Sequence, residues 1–269
     1  MLPVLIEFPQ LGVAIHSRGL LIVVAALFCN LVGPPWIEAL EGIDRGKSRR
    51  ALLWLLPSAF LGGRLHYMAN HWSELAAEPL AAFVLWGRGM HAGGAIALVA
   101  LAMPVVTGRL GIPLGRFADG AVPAVAIAVA IARVGCFLRG CCYGAASDWP
   151  WAVRFPADAL AYGGGSALAP GTALHPLQLY FASAALVIAV LALWLRRHRR
   201  YEGQIALIAL LLHSLSAAAI EPFRSDHPGR VYWGSLPQLE WVALAMVAVA
   251  ALALVVGREV DRRRLAKPA

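Results

Sequence analysis

Long apolar runs separated by short polar stretches organise this 269-residue chain. Runs of about 18–22 residues are long enough for a helix to cross a bilayer. They predict spans at Leu11–Val32, Arg50–Met68, Met90–Gly108, Asp119–Leu138, Pro176–Leu195, Gly203–Pro222 and Leu236–Val256. The expected fold is all-α: a polytopic membrane protein of seven transmembrane helices, with residues 1–269 as a single membrane-embedded domain. No basic leader precedes the first run and no clear small-residue cleavage site follows it, so it is read as a retained span.

The polar stretches give an orientation. Arg45, Lys47, Arg49 and Arg50 follow the first span, Arg109 and Arg116 the third, and Arg196, Arg197, Arg199 and Arg200 the fifth. Arg258, Arg262, Arg263, Arg264 and Lys267 lie in the tail. All fall on one side, which the positive-inside rule makes cytoplasmic. The N-terminus is then expected outside and the C-terminus in the cytoplasm. The longest connection, residues 139–175, becomes an outward-facing loop region. Its Trp149, Trp151 and Tyr162 suit a membrane interface, and Gly163-Gly164-Gly165 suits a flexible cover over a site.

Composition supports this class. The chain is 60% hydrophobic and only 14% charged, against about 25% charged in soluble domains. The net charge of +8 sits in short loop clusters, the pattern of contact with anionic lipid and not with nucleic acid.

Polar side chains recur at the outward ends of the spans: His16-Ser17-Arg18, Gly62-Gly63-Arg64 and His66, His91 with Gly93-Gly94, Arg133 running to Arg139, His175 with Gln178 and Tyr180, and Glu221 with Arg224. Several arginines with few acids suggest an anionic ligand, because the guanidinium fork binds phosphate at two points and stays charged when partly buried. A phospholipid head group supplies phosphate at that depth. Glu221 pairs with an arginine in this reading, and His91 is a candidate general base. Blander readings stand beside these. A histidine near a helix start is often a satisfied interface residue, Glu221 and Arg224 suit an i,i+3 pair, and the glycine pairs suit close helix contacts.

Of the four cysteines, Cys136, Cys141 and Cys142 have a spacing unlike usual zinc sites. On the oxidising side they are expected to form a bridge. Cys29, at the cytoplasmic end of the first span, is expected to be a small core residue.

In order along the chain, these blocks resemble the prolipoprotein diacylglyceryl transferases. Phe60 to Arg64 resembles the family's glycine-glycine-arginine. Trp86 to Gly94 resembles its tryptophan and histidine-glycine-glycine block. Ala132 to Gly144 resembles its central glycine-arginine-x-glycine-asparagine-phenylalanine motif, and Asp148 to Pro156 the segment after it. His175 to Tyr180, Ile220 to Arg224 and Leu236 to Leu239 are similar to its last blocks. The chain departs from the pattern at Ala92, which takes the histidine position and leaves His91 one residue early. It also departs at Cys136 and Arg139 for two asparagines, Cys141 for a glutamate, Arg18 for a tyrosine, and Ala217 for an arginine one turn before Glu221.

The resemblance implies a seven-span enzyme of the bacterial inner (plasma) membrane. It implies transfer of diacylglyceryl from phosphatidylglycerol to the lipobox cysteine thiol of a lipoprotein precursor signal peptide, with release of glycerol phosphate. No metal or organic cofactor is implied. His91, Arg133 and Glu221 are the implied catalytic residues. Arg64, Gly93, Gly94, Arg139, Gly144, His175, Gln178, Tyr180 and Arg224 are the implied substrate-binding residues. The substitutions leave two alternatives open: a non-catalytic phospholipid-binding or lipid-translocating paralogue, and a transferase with another acceptor.

Overall fold

The computed structural model describes residues 4–8, 13–72, 90–156, 171–224, 232–233, 236–237, 244–245 and 247–256. Its helices are α1 (Ser17–Glu41), α2 (Arg45–Asn70), α3 (Ala92–Leu110), α4 (Leu114–Arg139), α5 (Leu177–Leu195), α6 (Gln204–Ile220) and a shorter α7 (Val247–Val256). Five of them, α1 and α3 to α6, are long and apolar enough to cross a membrane. The chain is a multi-pass helical membrane protein. α2 has the length, at 26 residues, but Arg64 and His66 dilute its apolar run.

Several boundaries differ from the sequence expectation: α1 runs on to Glu41 and not Val32, α2 begins at Arg45 and not Arg50, and α4 at Leu114 and not Asp119. The first span begins at Ser17 and not Leu11, because β2 (Val13–His16) pairs in antiparallel fashion with β1 (Val4–Phe8). The last cannot be helical from Leu236, because Leu236–Pro237 (β6) pairs with Tyr232–Trp233 (β5). Val153–Arg154 (β3) pairs with Ala173–Leu174 (β4) in the long connection. Tyr162 and Gly163 to Gly165 lie outside the described residues.

The bundle carries an apolar exterior. Trp54, Leu101 and Val190 are 66%, 70% and 66% exposed, as suits contact with lipid. Pro34, Pro57, Pro104 and Pro123 lie inside helices that continue through them; neighbouring helices in a bundle make this tolerable.

α4 is the central element, with α1 along one flank and α5 along the other. Small residues let α1 come close. A Cβ on Gly120 would lie 2.9 Å from Glu41 Cγ, and one on Gly135 2.9 Å from Leu21 Cβ. α2 and α3 pack as a second pair through Gly62 and Gly94. A Cβ on Gly62 would strike the Gly94 carbonyl and lie 2.6 Å from Leu98 Cβ. These are the small-residue contacts of membrane helices.

One end of the bundle gathers the C-termini of α1, α3 and α5 and the N-termini of α2, α4 and α6. Ile37, Ile43, Leu52, Leu55, Ile112 and Phe117 form a core there, with Cys29 against it as expected. Buried charge closes this end. Glu41 accepts from Arg196 Nη1 and Arg199 Nη1, each at 2.7 Å. Asp119 accepts from the Gly203 and Ala206 N–H groups, both at 2.8 Å. It thus caps the orphan donors at the start of α6 from another helix.

Candidate active site

The opposite end, with the N-termini of α1, α3 and α5 and the C-termini of α2, α4 and α6, holds the candidate catalytic and substrate-binding residues. The structure divides them into three groups.

The first surrounds the end of α4. The Arg133 guanidinium lies 4.5 Å from the Phe181 ring centroid. Arg133 also stands within electrostatic reach of His213 and Cys142, and Arg18 within reach of Cys136, Cys141 and Cys142. Gln178 is fully buried and donates from Nε2 to the Cys141 carbonyl at 2.6 Å. Its Oε1 has no hydrogen-bond partner among the described residues, and neither has Arg139 Nε. The bridge expected among the cysteines is not formed: Cys136, Cys141 and Cys142 are free thiols, as is Cys29. Their sulfurs come together without a bond between them. Hydrogen bonds from Cys136 and Cys141, then Arg18 and Arg133, hold the Cys142 thiol below the usual range against its burial. Burial, reinforced by Cys141 and Cys142, pushes Tyr143 up.

The second group covers this one. Gly144 N–H donates to the His175 carbonyl at 2.8 Å, and Ala145 N–H to the Phe223 carbonyl at 2.8 Å. A Cβ on Gly144 would lie 2.8 Å from His175 Cβ and 2.9 Å from Leu177 Cγ, so this glycine serves close packing. Trp151 Nε1 donates to Tyr180 Oη at 2.8 Å, and Tyr180 Oη lies 3.0 Å from His175 Nδ1. Trp149 and Phe223 pack against the His175 ring. Glu221 is 2% exposed and accepts from Arg224 Nε at 2.9 Å, the i,i+3 pair anticipated from spacing.

The third group belongs to α2 and α3. His91 N–H donates to the Gly63 carbonyl at 3.0 Å. Its ring lies 5.0 Å from His66, 5.9 Å from Tyr67 and 6.1 Å from His71, centroid to centroid. A Cβ on Gly93 would lie 3.3 Å from His66 Cε1. Arg64 is buried and stacks over Tyr67 at 5.3 Å. His91 thus keeps company with α2, while Arg133 keeps company with α5 and α6.

Charge separates the two ends of the bundle. At the loop end Arg116, Arg196 and Arg199 all meet Glu41. At the site end no carboxylate pairs with Arg18, Arg133 or Arg139 among the described residues. Sequence reasoning missed His213. Its signal was position: it lies one turn before Ala217, on the face that packs toward α5.

The family model described as prolipoprotein diacylglyceryl transferase matches residues 3–256. Phosphatidylglycerol–prolipoprotein diacylglyceryl transferase 2 of Clostridium perfringens is 27% identical over 224 residues, 82% of this chain and 83% of that protein. The phosphatidylglycerol–prolipoprotein diacylglyceryl transferase of Synechococcus elongatus is 27% identical over 261 residues, 94% of this chain and 86% of that protein. Transferase 1 of Streptomyces coelicolor is 28% identical over 239 residues, 85% of this chain and 67% of that protein.

Proposed function

The chain belongs to the prolipoprotein diacylglyceryl transferase family, and from that premise we propose that it moves diacylglyceryl from phosphatidylglycerol to a prolipoprotein cysteine thiol. The acceptor is the lipobox cysteine after a signal peptide. The enzyme sits in the bacterial inner membrane with seven spans, the arginine-rich loops in the cytoplasm and the site end outward. The 139–175 connection covers the site.

One observation carries the reading: among the described residues, Arg18, Arg133 and Arg139 at the site end have no carboxylate partner. A charge at membrane depth costs about 3 kcal/mol or more. A desolvated cation–π contact such as Arg133 on Phe181 returns about 2 kcal/mol. An anionic ligand supplies the rest. In the reaction the acceptor sulfur attacks the glycerol carbon, the carbon–oxygen bond breaks, and its electron pair stays on the phosphate oxygen. Arg133, helped by Arg18 and Arg139, neutralises that oxygen as charge develops. Gln178 and Tyr180 bind head-group hydroxyls, with His175 holding Tyr180. Glu221 fixes Arg224 at the rim. His91 is the base that takes the thiol proton, with Arg64, Gly93 and Gly94 forming the wall beside it.

A second reading, a phospholipid-binding paralogue without transfer, is favoured by Ala217. It packs in the apolar cluster of Leu177, Phe181 and Ile220, where the family resemblance leads one to expect an arginine. Incubating purified protein with phosphatidylglycerol and a lipobox peptide separates the readings. A peptide carrying the diacylglyceryl mass supports transfer. Bound lipid without adduct supports the paralogue, and absence of both removes the site assignment.

A further inference from the structure

A cluster of ligating side chains at the end of α4 has chemistry that the transfer reading does not use. Cys136 lies in the last turn of α4. The helix stops at Arg139, Gly140 adopts φ 76°, and the Cys141 N–H donates back to the Cys136 carbonyl at 3.1 Å. The chain therefore folds over its own helix end, and residues five and six positions apart in sequence meet. Gln178 pins the Cys141 carbonyl at 2.6 Å. Cys142 takes φ 64° and is the one non-glycine residue with positive φ among the described residues. That conformation is unfavourable for a residue with a Cβ and survives because the surroundings enforce it. The outcome is three sulfurs that all lie within 4.8 Å of one another, two on buried residues and one on a half-buried residue.

We infer that Cys136, Cys141 and Cys142 form a three-thiolate site for a thiophilic cation of the zinc class. A metal–sulfur distance of about 2.3 Å puts two thiolates on one tetrahedral ion about 3.8 Å apart, so shifts of at most about 1 Å close the set. A disulfide would use two of these sulfurs and leave the convergence of the third without a role. Soft thiolates select zinc and copper(I) over harder cations. Three thiolates with a divalent ion carry one net negative charge, and Arg18 and Arg133 are at hand to balance it. Three protein ligands also leave a position for an exogenous ligand, as in zinc sites that act on substrates. The cluster was not evident from spacing, since Cys-x4-Cys-Cys meets only through the reversal at Gly140.

The test uses the full-length protein and the metal alone, without lipid or peptide. Reduced protein loaded with Zn(II) and passed through gel filtration is expected to retain one zinc per chain, with three sulfur neighbours by X-ray absorption at about 2.3 Å. Co(II) in its place should give sulfur-to-metal charge-transfer absorption. Cys141→Ser and Cys142→Ser should each weaken retention at least tenfold, whereas Cys29→Ser, at the other end of the bundle, should leave it unchanged. Wild type that retains no metal while its thiols titrate as reduced overturns the inference. Undiminished zinc in the Cys141→Ser, Cys142→Ser double variant overturns it too.

Discussion

Glu41 holds Arg199 across 158 residues of sequence: Arg199 Nη1 donates to Glu41 Oε1 at 2.7 Å and to Oε2 at 2.9 Å. Burial works against the charge on Arg199. The hydrogen bond to Glu41, with Asp119 beside it, more than offsets that and holds the guanidinium above its ordinary range. Removing one partner of a buried pair leaves the other uncompensated, at a cost of roughly 3 kcal/mol. Glu41→Ala is therefore expected to lower the thermal midpoint in detergent, by about 2–4 °C per kcal/mol. Phosphatidylglycerol binding by the folded fraction should keep its affinity. Unchanged stability would show that Arg196 and Arg199 find water as readily as they find Glu41.

The α2–α3 contact makes a different prediction for two neighbouring glycines. A Cβ on Gly94 would strike the Gly62 carbonyl, while one on Gly93 would meet only the His66 ring edge at 3.3 Å. Gly94→Ala should cost about 1–3 kcal/mol through overpacking, and Gly93→Ala well under half of that. Chemical denaturation of the purified variants checks the order, and equal losses would contradict it.

Much of this was legible beforehand because a bilayer leaves few options. Backbone groups in lipid must be satisfied within a helix, so the apolar runs located α3 to α6 within five residues, whereas α1 starts six residues and ends nine residues later than its run. The candidate site residues share one end of the bundle because successive spanning helices run in opposite directions, and not because of any motif. What stayed hidden depended on contacts far apart in sequence. Arg196 and Arg199 read as lipid-facing loop charges, but buried Glu41 and Asp119 take them. His213 gave no motif, and its nearness to Arg133 follows from the packing of α4 beside α6. The strand character of Val13–His16 escaped because an apolar run of four residues does not reveal its partner.

Sidedness follows from the loop charges. Reporter fusions at the tail and in the connection at Gly164 are expected to report opposite sides of the membrane, the tail inside. The same side for both would remove the odd number of spans and the outward position of the site.

The central claim is that Arg133 binds lipid phosphate. Lysine keeps the charge but loses the two-point geometry. Losing one charge-assisted hydrogen bond is worth roughly 1.5–3 kcal/mol, so phosphatidylglycerol binding and turnover should fall about tenfold to a hundredfold in Arg133→Lys. The loss should be greater in Arg133→Ala and slight in Arg224→Lys at the rim, with all three variants inserted and folded. The measurement is phosphatidylglycerol affinity of wild type and these variants in one detergent. Graded loss centred on position 133 is the predicted result, and wild-type affinity in Arg133→Ala would contradict it.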